Sequence, residues 1–453
     1  MSSTSQRSPL ARLLIIAVVV LVLIGAGFGL WLVLGPGPMD FAGGKRVALS
    51  TVSGPGPSGV PAELANASAI QRGEYLARAA DCEACHSTAD GKAFAGGRAF
   101  ILPFGTMYST NITPDRQSGI GNYTDADFIR AMRKGVARDG TRLYPAMPYA
   151  SYTYMTDADA LAIKAYLFSL APVNAPRPAN TLSFPYNQRW LMAFWSMFFN
   201  PDKRFEPNSE RSAEWNRGAY LAEAMAHCGE CHTPRTLAFS LDNRRKFGGA
   251  TQAGWRAYNI SSDKQTGIGE WTPEQVARYI GMGHADGRGT AGGPMGEAVD
   301  LSLKYLAPSD VSALVAYVTT VPPVTSHDLP ALKAAPAPQL PSEGVTAAVD
   351  PRGKEIFEGV CAGCHGWTGV SPVLNSATLT GVRAVNDPTA INVVQAVLSG
   401  ASAHGGTDMP AFGSAYSDTE VAAVANYVTA RFGAQPSNIT AANVADLRKE
   451  ISQ

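Results

Sequence analysis

The stretch Cys82-Glu-Ala-Cys85-His86 recurs as Cys228-Gly-Glu-Cys231-His232 and again as Cys361-Ala-Gly-Cys364-His365. These three copies contain all six cysteines of the 453-residue chain, so none remains for a structural disulfide or a nucleophile. In Cys-x-x-Cys-His, the two thiols attach haem covalently and the adjacent imidazole binds its iron. A zinc site would require further Cys or His ligands at matching spacing. The pattern therefore predicts three covalently bound haem c groups.

Each copy lies in a longer repeat, which defines a unit of the chain. The first two units also share a Tyr-containing segment before Asn-Ile and a Gly-Ile-Gly turn further on, whereas the third unit is shorter. Each unit is predicted to end in a helix, and these helices begin at Thr156, Ser309 and Ser417. Ser417 begins a capping box. Two more helix starts, at Thr272-Pro273 and Asp387-Pro388, place Pro at the first helical position. No strand pattern is comparably strong, so the sequence predicts a mainly α fold of three class I cytochrome c domains in series.

The N-terminal region contains 22 consecutive uncharged residues, 13–34, preceded by Arg7 and Arg12. A helix of this length would be about 33 Å long, enough for a hydrocarbon core of ~30 Å. The flanking arginines place the N-terminus in the cytoplasm. We therefore expect a single transmembrane anchor in the cytoplasmic (inner) membrane, with the haem domains facing the periplasm. A cleaved signal peptide is the alternative.

Composition and repeats divide the chain into segments of distinct character. The segment 184–199 is rich in aromatic side chains, and it is either a helix buried between domains or a surface for the membrane, a quinone or a partner subunit. A linker rich in Pro and Ala joins the second unit to the third, and its composition makes it semi-rigid. The expected order is a cytoplasmic N-terminus (1–12), the anchor (13–34), a linker (35–68), domain 1 (69–180), domain 2 (181–325), the Pro/Ala linker (326–349), domain 3 (350–435) and a polar tail (436–453).

A class I cytochrome c domain commonly supplies a methionine as the second axial iron ligand. Met147, Met295 and Met409 stand in Pro- or Gly-rich contexts before the last helix of their units, 61, 63 and 44 residues after the motif histidines. They are the predicted iron ligands opposite His86, His232 and His365. The competing ligands are His284 and His404, whereas the positions of His227 and His327 are poor for this role. Arg98, Arg142 and Arg288 could pair with haem propionates or be solvated surface charges.

The chain has 37 basic and 37 acidic side chains, and this balance argues against a nucleic-acid partner. No phosphate-binding glycine loop and no Ser/His/Asp arrangement is evident. The sequence therefore predicts no catalytic residues, and an electron-transfer subunit rather than an enzyme. One rival hypothesis is an enzyme with one five-coordinate haem, and another is a soluble electron shuttle.

With these residues in place, the chain resembles the three-haem cytochrome c subunit of membrane-bound periplasmic alcohol/aldehyde (or gluconate-type) dehydrogenases. The resemblance rests on Phe94-Ala-Gly-Gly97, Tyr108-Ser-Thr-Asn-Ile-Thr-Pro114, Gly119-Ile-Gly121 and Tyr144-Pro-Ala-Met147-Pro-Tyr149. It implies partners in a large catalytic dehydrogenase subunit, sometimes a small subunit, membrane lipid, and ubiquinone as electron acceptor. The second unit, with Gly254-Trp-Arg-Ala-Tyr-Asn, resembles the subunits of aldehyde dehydrogenases. The alternatives are a cytochrome subunit of a flavin-dependent gluconate/sorbitol-type dehydrogenase and an oxidase-associated multihaem cytochrome c.

Overall fold

The computed structural model describes residues 9–52, 56–89, 91–331, 350–401 and 408–451. Over these ranges the chain is mainly α-helical, which confirms that part of the predicted fold class. The helices are α1 (Pro9–Leu34), α2 (Ala69–Ala79), α3 (Cys82–His86), α4 (Asp125–Lys134), α5 (Tyr149–Tyr152), α6 (Asp157–Ser169), α7 (Leu191–Phe199), α8 (Ala213–Tyr220), α9 (Gly229–His232), α10 (Pro273–Met282), α11 (Gly293–Leu301), α12 (Pro308–Val318), α13 (Pro351–Ile356), α14 (Ala362–His365), α15 (Ile391–Ser399), α16 (Asp418–Phe432) and α17 (Ala441–Ile451).

Within the described ranges, three short antiparallel hairpins accompany the helices, although the sequence showed no strand pattern. They lie in the first two units, and their strands are only two to four residues long, too short for a clear alternation of apolar residues. The strands are β1 (Ala99–Leu102) with β2 (Gly105–Tyr108), β3 (Ala250–Gln252) with β4 (Trp255–Ala257), and β5 (His284–Ala285) with β6 (Gly289–Thr290).

Side-chain caps determine where several helices begin. Ser417 forms the capping box that starts α16. Thr272 forms the one that starts α10, with Pro273 in the first turn of that helix. The predicted start at Asp387-Pro388 is wrong, because α15 begins only at Ile391. Asp387 instead accepts hydrogen bonds from the backbone N–H and the hydroxyl of Thr389, at 2.9 and 2.8 Å. These bonds close a turn that competes with helix formation.

In each unit, the first helix crosses the last one at a glycine: α2 on α6, α8 on α12, and α13 on α16. A Cβ atom added at any of these glycines would clash with the backbone carbonyl of the facing helix. The repeated Arg-Gly pair therefore marks the point where two backbones come into direct contact. The three pairs are Gly73 with Ala162, Gly218 with Ala313, and Gly353 with Ala423.

The first and second units share one continuous hydrophobic core. It extends from Leu76 in α2 to Tyr220 and Tyr317 in the second unit, and Met39 from the preceding segment also belongs to it. The third unit has a separate core around Phe357. The first two units therefore form one packed body, and the third is joined to it through polar contacts.

The N-terminal transmembrane helix at 13–34 and the single membrane span inferred from it are wrong. A helix, α1, does cover these residues, but among the described residues no helix is both long and apolar enough to cross a membrane. A span requires an unbroken apolar run of ~20 residues.

The aromatic segment 184–199 forms a turn followed by α7, and none of the α7 side chains is buried. Trp190, Phe194 and Met197 are 60%, 55% and 65% exposed. The alternative of a helix buried between domains is therefore wrong. The Trp195 indole donates to the Ala238 carbonyl at 2.8 Å and ties α7 to the second unit. Residues 1–8 of the predicted cytoplasmic N-terminus, and 332–349 of the predicted linker, lie outside the described residues.

Candidate functional site

Each Cys-x-x-Cys-His motif forms a short helical turn. The turns are α3, α9 and α14, and the last two follow π-helical turns at Leu221–Met225 and Phe357–Cys361. All six cysteines are free thiols, so none is diverted into a disulfide. A helical turn presents two thiols and an imidazole together, as covalent haem attachment requires. The donor set of each turn therefore fits haem c.

The motif histidine is oriented in the same way in all three units. Its Nδ1 atom lies within hydrogen-bond distance of a backbone carbonyl: Thr110 for His86 at 2.6 Å, Tyr258 for His232 at 2.7 Å, and Ala377 for His365 at 2.6 Å. Such a bond places the proton on Nδ1 and leaves Nε2 free to bind a metal. Burial lowers the pKa of all three imidazoles, which favours the neutral, ligating form.

The segments that supply the first two carbonyls are held by matching asparagine side chains. Asn111 accepts hydrogen bonds from the backbone N–H and hydroxyl of Thr113 at 2.9 and 2.7 Å. Asn259 accepts the equivalent bonds from Ser261 at 2.8 and 2.7 Å. The acceptor carbonyl belongs to the residue before Asn-Ile in both units. The shared Asn-Ile sequence was therefore a signal for these acceptors, and sequence reasoning missed it.

The three predicted methionine ligands lie in different local structures. Met147 follows a turn and packs against the shared core, and Met295 lies in the first turn of α11 rather than in a loop. Met409 pairs through its backbone with Ala401, at 2.9 and 3.1 Å. The side chains of Met147 and Met295 are partly buried and pack against the edge of the shared core. The role of the three residues as axial ligands stays a prediction.

The histidines outside the motifs lie in different surroundings. Both ring nitrogens of His284 already have partners, with Nδ1 lying 2.9 Å from the Thr290 hydroxyl and Nε2 lying 3.1 Å from Asp286. His327 is exposed. His404 lies outside the described residues. The fourth, His227, faces the first unit, where its ring packs edge-on against Tyr152.

The guanidinium groups of Arg98 and Arg288, two of the three arginines considered for propionates, have protein partners. Arg98 donates to the Ala84 carbonyl within the first motif and pairs with Glu297 of the second unit. Arg288 donates to the Glu270 carbonyl and to Gln275. Arg142 contributes its carbonyl to Arg189 at 2.9 Å. Arg98 therefore links two units, which its sequence position did not indicate.

A partly buried acid precedes the first motif. Burial and the nearby Glu297 carboxylate raise the pKa of Asp81 to about 8, against the opposing effect of Arg98. Asp81 has a left-handed backbone, with φ of 52°, as does His227 with φ of 39°. Both residues directly precede the first cysteine of their motifs. The chain therefore enters the first two motif turns through a residue with a positive φ.

A mainly α chain with three such turns, each with a pre-oriented histidine, defines a multihaem c-type cytochrome. The comparisons with protein families agree. Residues 70–171 match the cytochrome c family, and residues 348–428 match cytochrome c oxidase, cbb3-type, subunit III.

Whole-chain relatives define the family more closely. The chain is 37% identical to the fructose dehydrogenase cytochrome subunit of Gluconobacter japonicus, over 84% of this chain and 82% of that protein. It is 36% identical to the gluconate 2-dehydrogenase cytochrome c subunit of Pantoea cypripedii, over 86% and 91%. It therefore belongs to the family of cytochrome c subunits of membrane-associated dehydrogenase complexes. It is also 39% identical, over 82% of its length, to a nicotinate dehydrogenase subunit of Pseudomonas putida, but it spans only 31% of that longer protein.

Proposed function

We propose that this chain carries three haem c groups and passes electrons from a catalytic dehydrogenase subunit to ubiquinone. Its membership of the family makes it a multihaem electron-transfer subunit, and the number of haems and the acceptor are the proposal. The observation that supports three haems is the histidine-to-carbonyl contact, which is the same in every unit. The proposed attachment sites are Cys82 and Cys85, Cys228 and Cys231, and Cys361 and Cys364.

The protein's own residues would set the chemistry at each haem. The haem supplies a reversible one-electron couple when bound. His86, His232 and His365 would bind the iron through Nε2, and Met147, Met295 and Met409 would each supply a second protein ligand. Thioether ligation raises the reduction potential. A two-electron oxidation in the partner would thus be divided into single-electron steps.

The substrate of the partner is an alcohol or an aldehyde in this proposal, with aldehyde favoured by the sequence of the second unit. The names of the relatives point to fructose, gluconate, alcohol and nicotinate, and the gluconate type remains the alternative. An oxidase-associated cytochrome is a second candidate, because the third unit matches a cbb3 oxidase subunit. That match covers one unit, whereas the dehydrogenase relatives match most of the chain.

The exposed face around α7 supports contact with membrane lipid and ubiquinone. This surface, which we call the aromatic ridge, comprises Phe184, Tyr186, Trp190, Phe194, Met197 and Phe198, each at least 41% exposed. Several large apolar side chains exposed along one segment are typical of an interaction site. Trp and Tyr are side chains that favour the membrane–water interface. We place the haem units on the periplasmic side.

A gene-deletion experiment tests the proposal. Deleting the gene should stop oxygen uptake by membranes with the partner's substrate, while the partner should still reduce an artificial dye. Alcohols, aldehydes and sugar acids should each be tried, because the substrate whose uptake stops identifies the partner. Substrate-dependent turnover by the purified cytochrome alone would contradict the proposal, and so would normal respiration on every substrate.

A further inference from the structure

A cavity of about 410 Å³ lies beside the aromatic ridge. Its volume is within the ~300–1,000 Å³ that is typical of ligand sites. Of the eight described residues that line it, two are the arginines Arg177 and Arg189, and none is acidic. The haem turns and the proposed iron ligands do not belong to this lining. The cavity is therefore a cationic site that the proposed haem chemistry does not use.

Hydrogen bonds hold the two guanidinium groups in place. Arg189 donates through Nη1 to the Arg142 carbonyl at 2.9 Å, and its guanidinium lies 4.8 Å from the centroid of the Tyr144 ring. Arg177 donates through Nη1 to the side-chain oxygen of Asn180 at 3.0 Å. A guanidinium has five N–H donors. These contacts use one donor on each arginine, and within the described ranges neither arginine forms an ion pair.

The charge of this cavity is not balanced from within. Two like charges that face one space repel each other, and the nearby Arg189 charge acts with partial burial to lower the pKa of Arg177. The Asp139 carboxylate lies near Arg189, but its strongest contacts are with Thr141, whose backbone N–H donates to it at 2.9 Å. An anion between the arginines would relieve the repulsion and accept their remaining donors. A phosphate or carboxylate matches the planar fork of a guanidinium.

The cavity and the aromatic ridge are built from the same segment. Asn187 and Arg189 line the cavity. Tyr186 and Trp190, next to them in the sequence, are exposed residues of the ridge. The Tyr144 hydroxyl, in the cavity wall, donates to the Tyr186 carbonyl at 2.8 Å. The cavity therefore adjoins side chains that favour the membrane–water interface, the level at which phospholipid head groups lie.

We propose that Arg177 and Arg189 bind the phosphate of an anionic phospholipid whose acyl chains lie against the aromatic ridge. This inference rests on the proposed function, because it specifies the lipid that the ridge contacts. Two cations favour a lipid with a net negative charge, since the amine of a zwitterionic head group offsets the charge of its phosphate. Free phosphate has the same charge chemistry but gains nothing from the apolar side chains beside the cavity, so the lipid is favoured.

The test is co-sedimentation of the complete haem-loaded protein at low salt with vesicles of phosphatidylcholine, alone or mixed with phosphatidylglycerol. The parent protein should bind the mixed vesicles more tightly. Arg177→Gln combined with Arg189→Gln should weaken that binding about thirtyfold, because each basic residue near an anionic surface contributes about fivefold. Binding to phosphatidylcholine alone should stay unchanged, because the ridge is intact. Arg177→Lys combined with Arg189→Lys keeps both charges and should keep the preference for phosphatidylglycerol.

Arg278→Gln is the matched control for charge, because it removes an arginine of α10 in the second unit whose side chain is 52% exposed. It should leave the affinity for both kinds of vesicle unchanged. Equal binding of the parent protein to both kinds would overturn the inference. A parent-like preference in the double Gln variant would also overturn it, and a shifted haem potential in that variant would then assign the arginines to a haem propionate.

Two further outcomes separate lipid from free phosphate and the inference from the proposed function. If inorganic phosphate abolishes the preference and chloride at the same ionic strength does not, the cavity is a site for free phosphate and the inference is overturned. A parent protein that binds neither kind of vesicle would contradict the proposed membrane contact itself, and the inference with it. Parent binding to phosphatidylcholine without any preference would overturn the inference alone.

Discussion

The Tyr258 hydroxyl donates a hydrogen bond to Asp387 at 3.1 Å, across the boundary between the second and third units. The same tyrosine supplies the carbonyl that orients His232. Asp387 is completely buried and also pairs with Arg256 at 3.4 Å. One residue therefore both orients a proposed iron ligand and helps to attach the third unit to the other two.

Replacing Asp387 should loosen this attachment. Asp387→Ala leaves Arg256 without its buried partner and Tyr258 without its acceptor, and breaking a buried ion pair costs about 3–5 kcal/mol. Asp328→Ala is the matched control, because Asp328 is the other partner of Arg256 but its side chain is 67% exposed. An exposed pair contributes about 0–1 kcal/mol. Hydrogen exchange of the α15 amides should accelerate in the first variant alone, and equal effects would contradict this account.

The glycine crossings predict an asymmetry between two alanine substitutions. Gly218→Ala forces a Cβ atom onto the Ala313 carbonyl, and overpacking of this kind costs about 1–3 kcal/mol. Gly281 in α10 has as its nearest neighbour a Val311 methyl carbon 3.8 Å from the added Cβ, so alanine fits there. Gly281→Ala should stabilise the helix by about 0.5–1 kcal/mol. The thermal midpoint of the haem-loaded protein should fall in the first variant and not in the second.

Haem attachment can be counted one unit at a time. Pyridine haemochrome analysis should give three haems per chain in the parent and two when Cys361 and Cys364 are both replaced by Ala. Trp367→Ser, two residues beyond the motif and 58% exposed, should leave the count at three. An unchanged count in the double-cysteine variant would show that the third turn does not hold haem.

Features that depend on neighbouring residues could be predicted from the sequence. The capping boxes at Thr272 and Ser417 involve residues three positions apart, and both are present. The start at Asp387-Pro388 failed because a side-chain turn competed with the helix, and nothing in the local pattern distinguishes the two outcomes. The carbonyls that orient the histidines lie 24, 26 and 12 residues downstream. The Asn-Ile repeat was the sequence feature that indicated the first two of these carbonyls, those of Thr110 and Tyr258.

The contacts between units could not be predicted. Helical periodicity shows which face of a helix is apolar but not which element covers it. The shared core of the first two units and the contact of Tyr152 with His227 depend on how the units dock. The aromatic segment 184–199 has an apolar composition typical of a buried helix, yet its large side chains are exposed. Composition therefore could not separate a core from an interaction surface.

The axial methionines can be tested through the haem potentials. Met147→Ala, Met295→Ala and Met409→Ala should each lower the potential of one haem by on the order of 0.1 V, within the ~0.8 V range that axial ligands set. Met132→Leu is the control, because Met132 is a buried core residue of α4. A larger change in His284→Ala than in Met295→Ala would show that the ligand in the second unit is wrongly assigned.

The aromatic ridge should bind lipid through its exposed side chains. Fully burying one Phe or Met side chain contributes about 1.5–3 kcal/mol. Losing such a contact should weaken binding at least about tenfold. The measurement is co-sedimentation of the purified haem-loaded protein with phosphatidylethanolamine–phosphatidylglycerol vesicles at high salt, which screens charge contacts between protein and lipid. Trp190→Ser, Phe194→Ser and Met197→Ser should each reduce the bound fraction, and the triple variant should reduce it most.

The control for this experiment is Trp367→Ser, which removes an equally exposed tryptophan from the third unit. It should leave vesicle binding unchanged, because Trp367 lies outside the ridge. Parent-like binding in the triple variant would contradict the lipid assignment. If that variant instead fails to assemble with the catalytic subunit, the ridge is a protein interface. A third outcome is a triple variant that binds vesicles and assembles with the catalytic subunit but no longer reduces quinone. That result would restrict the ridge's role to ubiquinone, because the acceptor must reach the haems from the lipid phase.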